Sequence, residues 1–140
     1  MYSLYSEVFP VLLNNISRTE VNILHEGRAH VWRLIVDPAK GSSFGYFNDV
    51  YIYPGQPVPL HSHDEEEIFY FLSGQGEIEI DGEIREVGPY DIVYVPPRTM
   101  HATRCKGTYP LRLIAVGSLP TEMPPEYADR VPTMQGRSDY

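Results

Sequence analysis

Three histidines and one glutamate have the residue types and the spacing of a metal site. His61, His63 and Glu67 are separated by even numbers of residues, and His101 follows later in the segment VPPRTMH. Because side chains alternate faces along a β-strand, residues of one parity can point into one cavity. Three imidazoles and a carboxylate suit Fe, Mn, Ni, Co, Cu or Zn better than Mg or Ca. The sequence therefore predicts a transition-metal site with open positions for a substrate or dioxygen.

The same residues belong to a longer pattern that resembles the cupin superfamily. Its first motif, G-x5-H-x-H-x3-E-x6-G, is matched in full from Gly55 to Gly74. Its second motif, usually written G-x5-P-x-G-x2-H-x3-N, is matched at Pro96 and His101. It is not matched at three positions, which hold Tyr90, Arg98 and Cys105 in place of Gly, Gly and Asn. These departures affect the turns and the choice of subfamily, not the ligand positions.

This resemblance implies a jelly-roll β-barrel that holds one divalent metal. The implied ligands are His61, His63, Glu67 and His101, with Fe²⁺ as the first expectation and Mn²⁺, Ni²⁺, Zn²⁺, Co²⁺ or Cu²⁺ as alternatives. In cupin lyases that cleave dimethylsulfoniopropionate, a tyrosine two residues after the glutamate serves as base. Phe69 stands at that position here, so that activity is not implied.

An all-β fold is also indicated by the local pattern. Thirteen prolines and eleven glycines divide the 140 residues into short pieces rich in Val, Ile and Tyr, which are typical of strands. Asp81-Gly82 predicts a two-residue hairpin turn. Antiparallel strands in such number close into a jelly roll. Eight strands are predicted, over residues 30–36, 44–53, 67–74, 76–80, 83–87, 91–95, 101–105 and 111–117.

The chain is long enough for a single domain with its own core. We predict an N-terminal arm or short helix over residues 1–25, the barrel over 26–118, and a polar, proline-rich, extended tail over 119–140. The apolar residues near the start of the arm are expected to pack on the barrel or on a second subunit. A homodimer is therefore the expected assembly.

Composition argues against several classes of partner. The formal net charge of −8 and the lack of a basic run exclude a nucleic-acid surface. Neither a membrane-spanning apolar stretch nor a signal peptide is evident, so a cytoplasmic protein without a membrane partner is expected. The single cysteine, Cys105, cannot form an internal disulfide. His25 and His30 lack motif spacing and are interpreted as surface or structural residues.

Continuing the ligand parity predicts the surroundings of the metal. Phe69 and Phe71 are expected on the cavity side, which would make the pocket apolar. Tyr51 and Tyr53, on the strand before the first motif, are the preferred acid or base by the same parity. Cys105 is expected to line the pocket as a small apolar residue.

Charged residues near the motif have a weaker interpretation. Asp64, Glu65 and Glu66 are interpreted as a solvated rim, which disfavours anionic substrates unless an arginine compensates. Arg33, Arg104 and Arg112 lie in predicted strands, and Arg33 is the preferred substrate-binding candidate.

These expectations describe a metal-dependent enzyme acting on a small, largely apolar or aromatic organic molecule. Redox chemistry would make it a dioxygenase, and Lewis-acid chemistry an isomerase, cyclase, decarboxylase or lyase. The sequence does not choose between them. The alternative from another class is a non-catalytic sensor or binding module that holds a metal or a small ligand.

Overall fold

The computed structural model describes residues 15–24, 29–33 and 44–119. These residues form a short 3-10 helix and ten β-strands. No helix in the described ranges is long and apolar enough to cross a membrane. The 3-10 helix is Ile16–Arg18, and the strands are β1 Val21–Leu24, β2 Ala29–Arg33, β3 Phe44–Ile52, β4 Val58–His61, β5 Glu67–Ser73, β6 Gly76–Ile80, β7 Glu83–Val87, β8 Ile92–Val95, β9 His101–Cys105 and β10 Leu111–Ser118.

The strands form two antiparallel sheets. One sheet has six strands in the order β1-β2-β3-β10-β5-β8, and the other has four in the order β4-β9-β6-β7. Buried residues of both sheets, among them Val31, Phe71 and Leu113 from the first and Val58 and Ile78 from the second, form a single core. The all-β jelly roll predicted from the sequence is confirmed.

Alternation of side chains along the strands explains which residues reach this core. On β10, Leu111, Leu113 and Ala115 are buried while the residues between them are partly exposed. On β5, Phe69 and Phe71 are buried by the same rule. One face of each strand therefore lies inside the barrel and the other lies on its surface.

Eight predicted strands correspond to strands of the structure, and two strands were missed. Both missed strands, β1 and β4, are only four residues long, and Pro59 within β4 argues against a strand by sequence rules. The predicted strand over 30–36 overlaps β2, and its residues from 34 onward lie outside the described ranges. The same holds for most of the predicted arm and for the tail from residue 120, which stay predictions.

Several turns of the described residues use the left-handed backbone region, and three of them place a residue other than glycine there. Asp81 has φ 49° and Gly82 has φ 83°, as the predicted hairpin turn between β6 and β7 requires. Tyr90 has φ 73° and Arg98 has φ 55°, and both stand where the second motif usually has glycine. At Tyr90 and Arg98 the backbone has the conformation that suits glycine although each residue has a side chain. This conformation costs about 1–2 kcal/mol for an L-residue.

We predict that Tyr90→Gly leaves stability unchanged or raises it by up to about 1 kcal/mol. Relief of the left-handed strain is partly offset by the greater freedom of glycine in the unfolded chain. Tyr109 is the matched control because it is 78% exposed, like Tyr90 at 77%, but has no positive φ. Tyr109→Gly should lose about 0.5–1 kcal/mol. Urea denaturation of the metal-free proteins measures both, and equal losses at the two positions would contradict the strain argument.

Candidate metal centre

Three histidines from two strands and a loop converge inside the barrel. His61 ends β4 and lies directly opposite His101, the first residue of β9. His63 follows two residues after β4. All three are buried, and one nitrogen of each lies within 4.8 Å of the others. Their ring centroids are 4.4 Å apart for His61 and His101, 4.9 Å for His63 and His101, and 5.6 Å for His61 and His63.

Each imidazole is oriented by a backbone carbonyl two residues away. Nδ1 of His61 lies 2.7 Å from the oxygen of Pro59, and Nδ1 of His101 lies 2.8 Å from that of Thr99. Nδ1 of His63 lies 2.9 Å from the oxygen of Glu65. A carbonyl can only accept, so each Nδ1 carries the proton and donates it. This arrangement leaves Nε2 of each ring for a metal, and metal-binding histidines commonly donate their other ring N–H to a backbone carbonyl in this way.

Glu67 reaches the histidines from the opposite sheet. It is the first residue of β5, and its side chain is fully buried. Its Oε1 lies 2.7 Å from Nε2 of His63. The hydroxyl of Tyr46 donates a hydrogen bond of 2.5 Å to the same oxygen. A carboxylate is thus available beside the three imidazoles, and the donor set is the mixed N/O set that transition metals prefer.

Two of the histidines are neutral near pH 7. Burial, and then repulsion from His101, lowers the pKa of His61 to about 4. Burial also lowers the pKa of His101. Because a metal binds the neutral imidazole, these two rings need not lose a proton before they bind one.

His63 and Glu67 shift each other's pKa in opposite directions. Burial alone would lower the pKa of His63, but the hydrogen bond and charge of Glu67 outweigh it and raise that pKa. Burial would likewise raise the pKa of Glu67, but the hydrogen bond and charge of His63 outweigh it and lower that pKa. The 2.7 Å contact between Nε2 of His63 and Oε1 of Glu67 holds a proton in the place that a metal would take, so metal binding should release it.

A mainly apolar cavity of about 40 Å³ opens beside these donors. At roughly 10–15 Å³ for each water-sized group, it holds a small molecule or the reacting end of a larger one. Its polar residues are His61, Glu67, His101 and Thr103. The other eight lining residues are apolar: Ala29, Val31, Val50, Ile52, Val58, Phe69, Leu113 and Ala115.

Comparison with known proteins identifies the family. The model of the cupin domain matches residues 48–117, which is half of the chain and includes all four donors. The chain belongs to the cupin family. Among solved structures, this cupin superimposes on a predicted oxalate decarboxylase from Thermotoga maritima with a TM-score of 0.69 and 23% identity. The match covers 76% of this chain and 98% of that one, and at this identity it shows the fold alone.

Characterised cupins with similar sequences catalyse different reactions. The chain is 36% identical over 56 residues to 5-nitrosalicylic acid 1,2-dioxygenase of Bradyrhizobium sp, a match that covers 40% of this chain and 27% of that protein. It is 31% identical over 99 residues to L-ectoine synthase of Bordetella parapertussis, covering 68% of this chain and 74% of that protein. The chain thus spans about a quarter of the dioxygenase and about three quarters of the synthase.

The aromatic residues predicted beside the cupin site fall in different places. Phe69 lines the cavity, and Phe71 is buried in the core behind it. The parity prediction for Tyr51 and Tyr53 is wrong, because Val50 and Ile52 face the cavity instead. Tyr51 lies on the outer face against Arg112, and the hydroxyl of Tyr53 lies 3.2 Å from Nδ1 of His30. The turn after β3 resets the parity that was counted backward from His61.

Cys105 does not line the cavity, contrary to expectation. It is half-buried at the end of β9, and its thiol donates to the carbonyl of Tyr109 at 3.0 Å. Thr103, two residues earlier on the same strand, lines the cavity instead. The Cys105 thiol is thus hydrogen-bonded at the edge of the core rather than in the cavity.

Two of the three arginines considered for substrate binding have described side chains, and neither of these reaches the cavity. Arg104 contacts Glu77 and Glu79, and Arg112 forms a two-bond pair with Asp49. Arg33 ends β2 with its backbone paired to Asn48, and its side chain lies outside the described atoms. Its substrate-binding role stays a prediction.

Two residues near the donors were misjudged from sequence. Glu65, interpreted as part of a solvated rim, is only 1% exposed, and its carboxylate lies 3.5 Å from Nδ1 of His63. Tyr46, not chosen among eleven tyrosines, is the one that contacts Glu67. The parity of β3 places Tyr46 on the inner face with Val50 and Ile52, but it does not predict the contact with Glu67 on another strand.

We expect replacement of any one of His61, His63 and His101 by alanine to remove most of the bound metal. Each replacement removes one of the three imidazole ligands, and water is a weaker ligand than imidazole for these metals. His30→Ala is the matched control, since His30 lies on the outer face beside Tyr53. The measurement is elemental analysis after reconstitution with Fe²⁺ or Zn²⁺ and removal of free ions. Stoichiometric metal in a variant lacking all three histidines would show that the site is elsewhere.

Proposed function

We propose that this cupin is a metal-dependent enzyme acting on a small, largely apolar or aromatic organic molecule. One divalent transition metal, Fe²⁺ in the first instance, is held by His61, His63, Glu67 and His101. The observation that carries the proposal is the convergence of these buried donors at one side of an otherwise apolar cavity. A structural barrel has no need of such a cluster, because burying polar groups is costly unless they are satisfied.

The donor set leaves room for chemistry. A divalent metal held by these four residues would supply Lewis-acid polarisation of a substrate carbonyl or enolate, or redox chemistry with dioxygen. The protein supplies a dry, shaped cavity beside these donors. Apolar walls exclude water, and this strengthens every electrostatic interaction inside.

The cavity walls also restrict the substrate. Among the described residues that line the cavity, Thr103 is the only polar one outside the proposed donors, and none is an arginine or a lysine. Thr103 can donate to or accept from a single carbonyl or hydroxyl group of a bound molecule. The substrate therefore has few polar groups, which lie near the metal, and an apolar or aromatic body.

The two characterised relatives represent two classes of reaction. One is named as a dioxygenase of an aromatic acid and the other as a synthase. A dioxygenase consumes oxygen with its substrate, whereas an isomerase, cyclase, decarboxylase or lyase does not. Oxygen-electrode measurements on the Fe²⁺-loaded protein with phenols, β-diketones and keto acids separate these classes, and product analysis under nitrogen detects the second.

We predict that Glu67→Gln lowers turnover at least tenfold, because Glu67 is the only anionic donor and its loss raises the pKa of metal-bound water or substrate. Glu66→Gln is the control, since Glu66 adjoins Glu67 but its carboxylate lies on the surface, where it accepts from Tyr94. Turnover and metal content are measured together. A Glu67→Gln protein with normal metal and normal turnover would remove the central support of the enzyme proposal.

The same assays test the binding-module alternative. A metal-loaded protein that binds compounds of the panel with micromolar affinity, but converts none of them with or without oxygen, would favour a sensor over an enzyme. Calorimetry on the Fe²⁺-loaded protein provides the affinity, and the cavity variant Ala115→Leu provides the control. Because Ala115 lines the cavity, the larger leucine side chain should weaken the binding of compounds in the cavity.

We also propose that the cupin is a homodimer. The outer face of the six-stranded sheet exposes large apolar residues, among them Ile68, Tyr70 and Ile92 on the neighbouring strands β5 and β8, and Phe47 on β3. β8 is also an edge strand of that sheet, and proteins commonly cover such edges. A second copy of the chain would bury both features.

Light scattering at micromolar concentration should give twice the mass of one chain. Ile92→Lys should shift the protein toward the monomer, because it places a charge within the apolar face. Ile84→Lys changes a similarly exposed isoleucine on β7 of the other sheet and should leave the dimer intact. A wild-type protein with the mass of a single chain would refute the dimer.

A further inference from the structure

We propose that Tyr46 is a positioning residue for Glu67, and that Gly117 is glycine because the ring of Tyr46 crosses it. The inference rests on the proposed function in one respect, since it takes Glu67 as a metal donor. It adds two residues on two other strands to the machinery of the site.

The contact between Tyr46 and Glu67 is short and shielded from water. The phenol hydroxyl donates to Oε1 at 2.5 Å, and both side chains are about 2% exposed. The same oxygen lies 2.7 Å from Nε2 of His63. Two donors on one carboxylate oxygen fix its torsion angles, and hydrogen bonds to an ionised acceptor are the strong ones. Tyr46 thus holds the carboxylate in place from another strand of the sheet that carries Glu67.

The sheet places three residues in one row. β10 lies between β3 and β5, and Gly117 pairs with Tyr46 on one side and with Glu67 on the other. Residues two strands apart are separated by about 9–10 Å. The Tyr46 side chain spans this distance only by lying across the backbone of Gly117.

Gly117 has no side chain because the ring occupies that space. A Cβ at this position would lie 2.1 Å from Cζ of Tyr46 and 2.5 Å from its hydroxyl oxygen. Gly117 does not have a positive φ, so the backbone conformation itself does not require glycine. The requirement is therefore steric and specific to the ring that reaches Glu67.

A merely structural role for Tyr46 would lie in its ring, whereas the positioning role lies in its hydroxyl. Tyr46→Phe separates the two because it keeps the ring and removes only the donor. Tyr94→Phe is the matched control, since the Tyr94 hydroxyl also donates to a carboxylate at 2.5 Å, that of Glu66, but on the surface. Each variant removes one hydrogen bond from a phenol to a carboxylate, Tyr46→Phe from Glu67 and Tyr94→Phe from Glu66.

The experiment measures Zn²⁺ affinity by competition with a chromophoric chelator, together with thermal unfolding of the metal-free protein. We expect Tyr46→Phe to weaken Zn²⁺ binding about tenfold to a hundredfold, the usual effect of removing a hydrogen-bond partner of a metal ligand. Tyr94→Phe should stay within about twofold of wild type. Mn²⁺ or Fe²⁺ in place of Zn²⁺ should give the same ranking.

Gly117→Ala should produce the same loss of Zn²⁺ affinity by displacing the ring. Its matched control is Gly107→Ala, because Gly107 also lacks a positive φ and a Cβ there meets nothing closer than 3.9 Å. In a Tyr46→Ala background the ring is gone, so Gly117→Ala should cause no further loss of affinity. An additive loss in the double variant would overturn the role assigned to Gly117.

The outcomes distinguish this inference from the proposed function. If wild type binds Zn²⁺ and Tyr46→Phe binds it equally well, the positioning role is overturned while the metal site stands. If wild type binds no Zn²⁺, Mn²⁺ or Fe²⁺, the proposed function fails and this inference fails with it. Should Gly117→Ala not fold, the comparison of Tyr46→Phe with Tyr94→Phe still decides.

Discussion

The geometry of the site depends on one repeated hydrogen bond, from a histidine Nδ1 to a carbonyl two residues away in the same chain. Pro59, Thr99 and Glu65 supply these carbonyls, and their positions are fixed by strands or by the loop that follows β4. Each bond sets both the tautomer and the ring orientation, so the three Nε2 atoms face one another before any metal arrives. An imidazole free to rotate would lose this arrangement to its own conformational entropy. The local backbone therefore determines the donor geometry, and the two sheets determine only how near the donors come.

Charge balance explains why so polar a cluster can exist inside the barrel. Burial lowers the pKa of both His61 and His101, and His63 lies in contact with Glu67 and 3.5 Å from the carboxylate of Glu65. A charge on His63 is thus paired with a carboxylate, which avoids the large cost of an unpaired buried ion. A divalent metal that replaces the His63 proton would add positive charge to this balance, and Glu67 is the carboxylate that contacts an Nε2 atom of the cluster. Glu67 therefore matters more for metal binding than its one hydrogen bond to His63 in the metal-free protein indicates.

Sequence reasoning succeeded where the pattern was local and failed where it depended on a neighbouring strand. The glycine-bounded motif, the Asp81-Gly82 turn and the longer strands follow from spacing and from backbone preferences, so the fold and family were predicted correctly. The orientation of Tyr51 and Tyr53 depends on the loop between β3 and β4, which interrupts the period of two. The role of Tyr46 depends on β10 lying between β3 and β5, and no periodicity within one strand contains that information. Glu65 is buried beside His63 and accepts from it through its backbone carbonyl, and neither contact can be read from a run of acidic residues.

The two sheets make different contributions to the cavity, and this difference limits how a substrate can lie. The four-stranded sheet provides His61, His101 and Thr103, which are most of the polar lining. Seven of the eight apolar lining residues belong to the six-stranded sheet, on β2, β3, β5 and β10. A bound molecule must therefore direct its polar group toward β4 and β9 and place its apolar body against the other sheet. Glu67 is the exception, a charged residue on the apolar side, and its carboxylate has His63 as a partner across the cavity and Tyr46 as a partner on its own sheet. Tyr46 reaches it across the bare backbone of Gly117, so the apolar sheet itself supplies a hydrogen-bond donor to the carboxylate that it presents to the histidines.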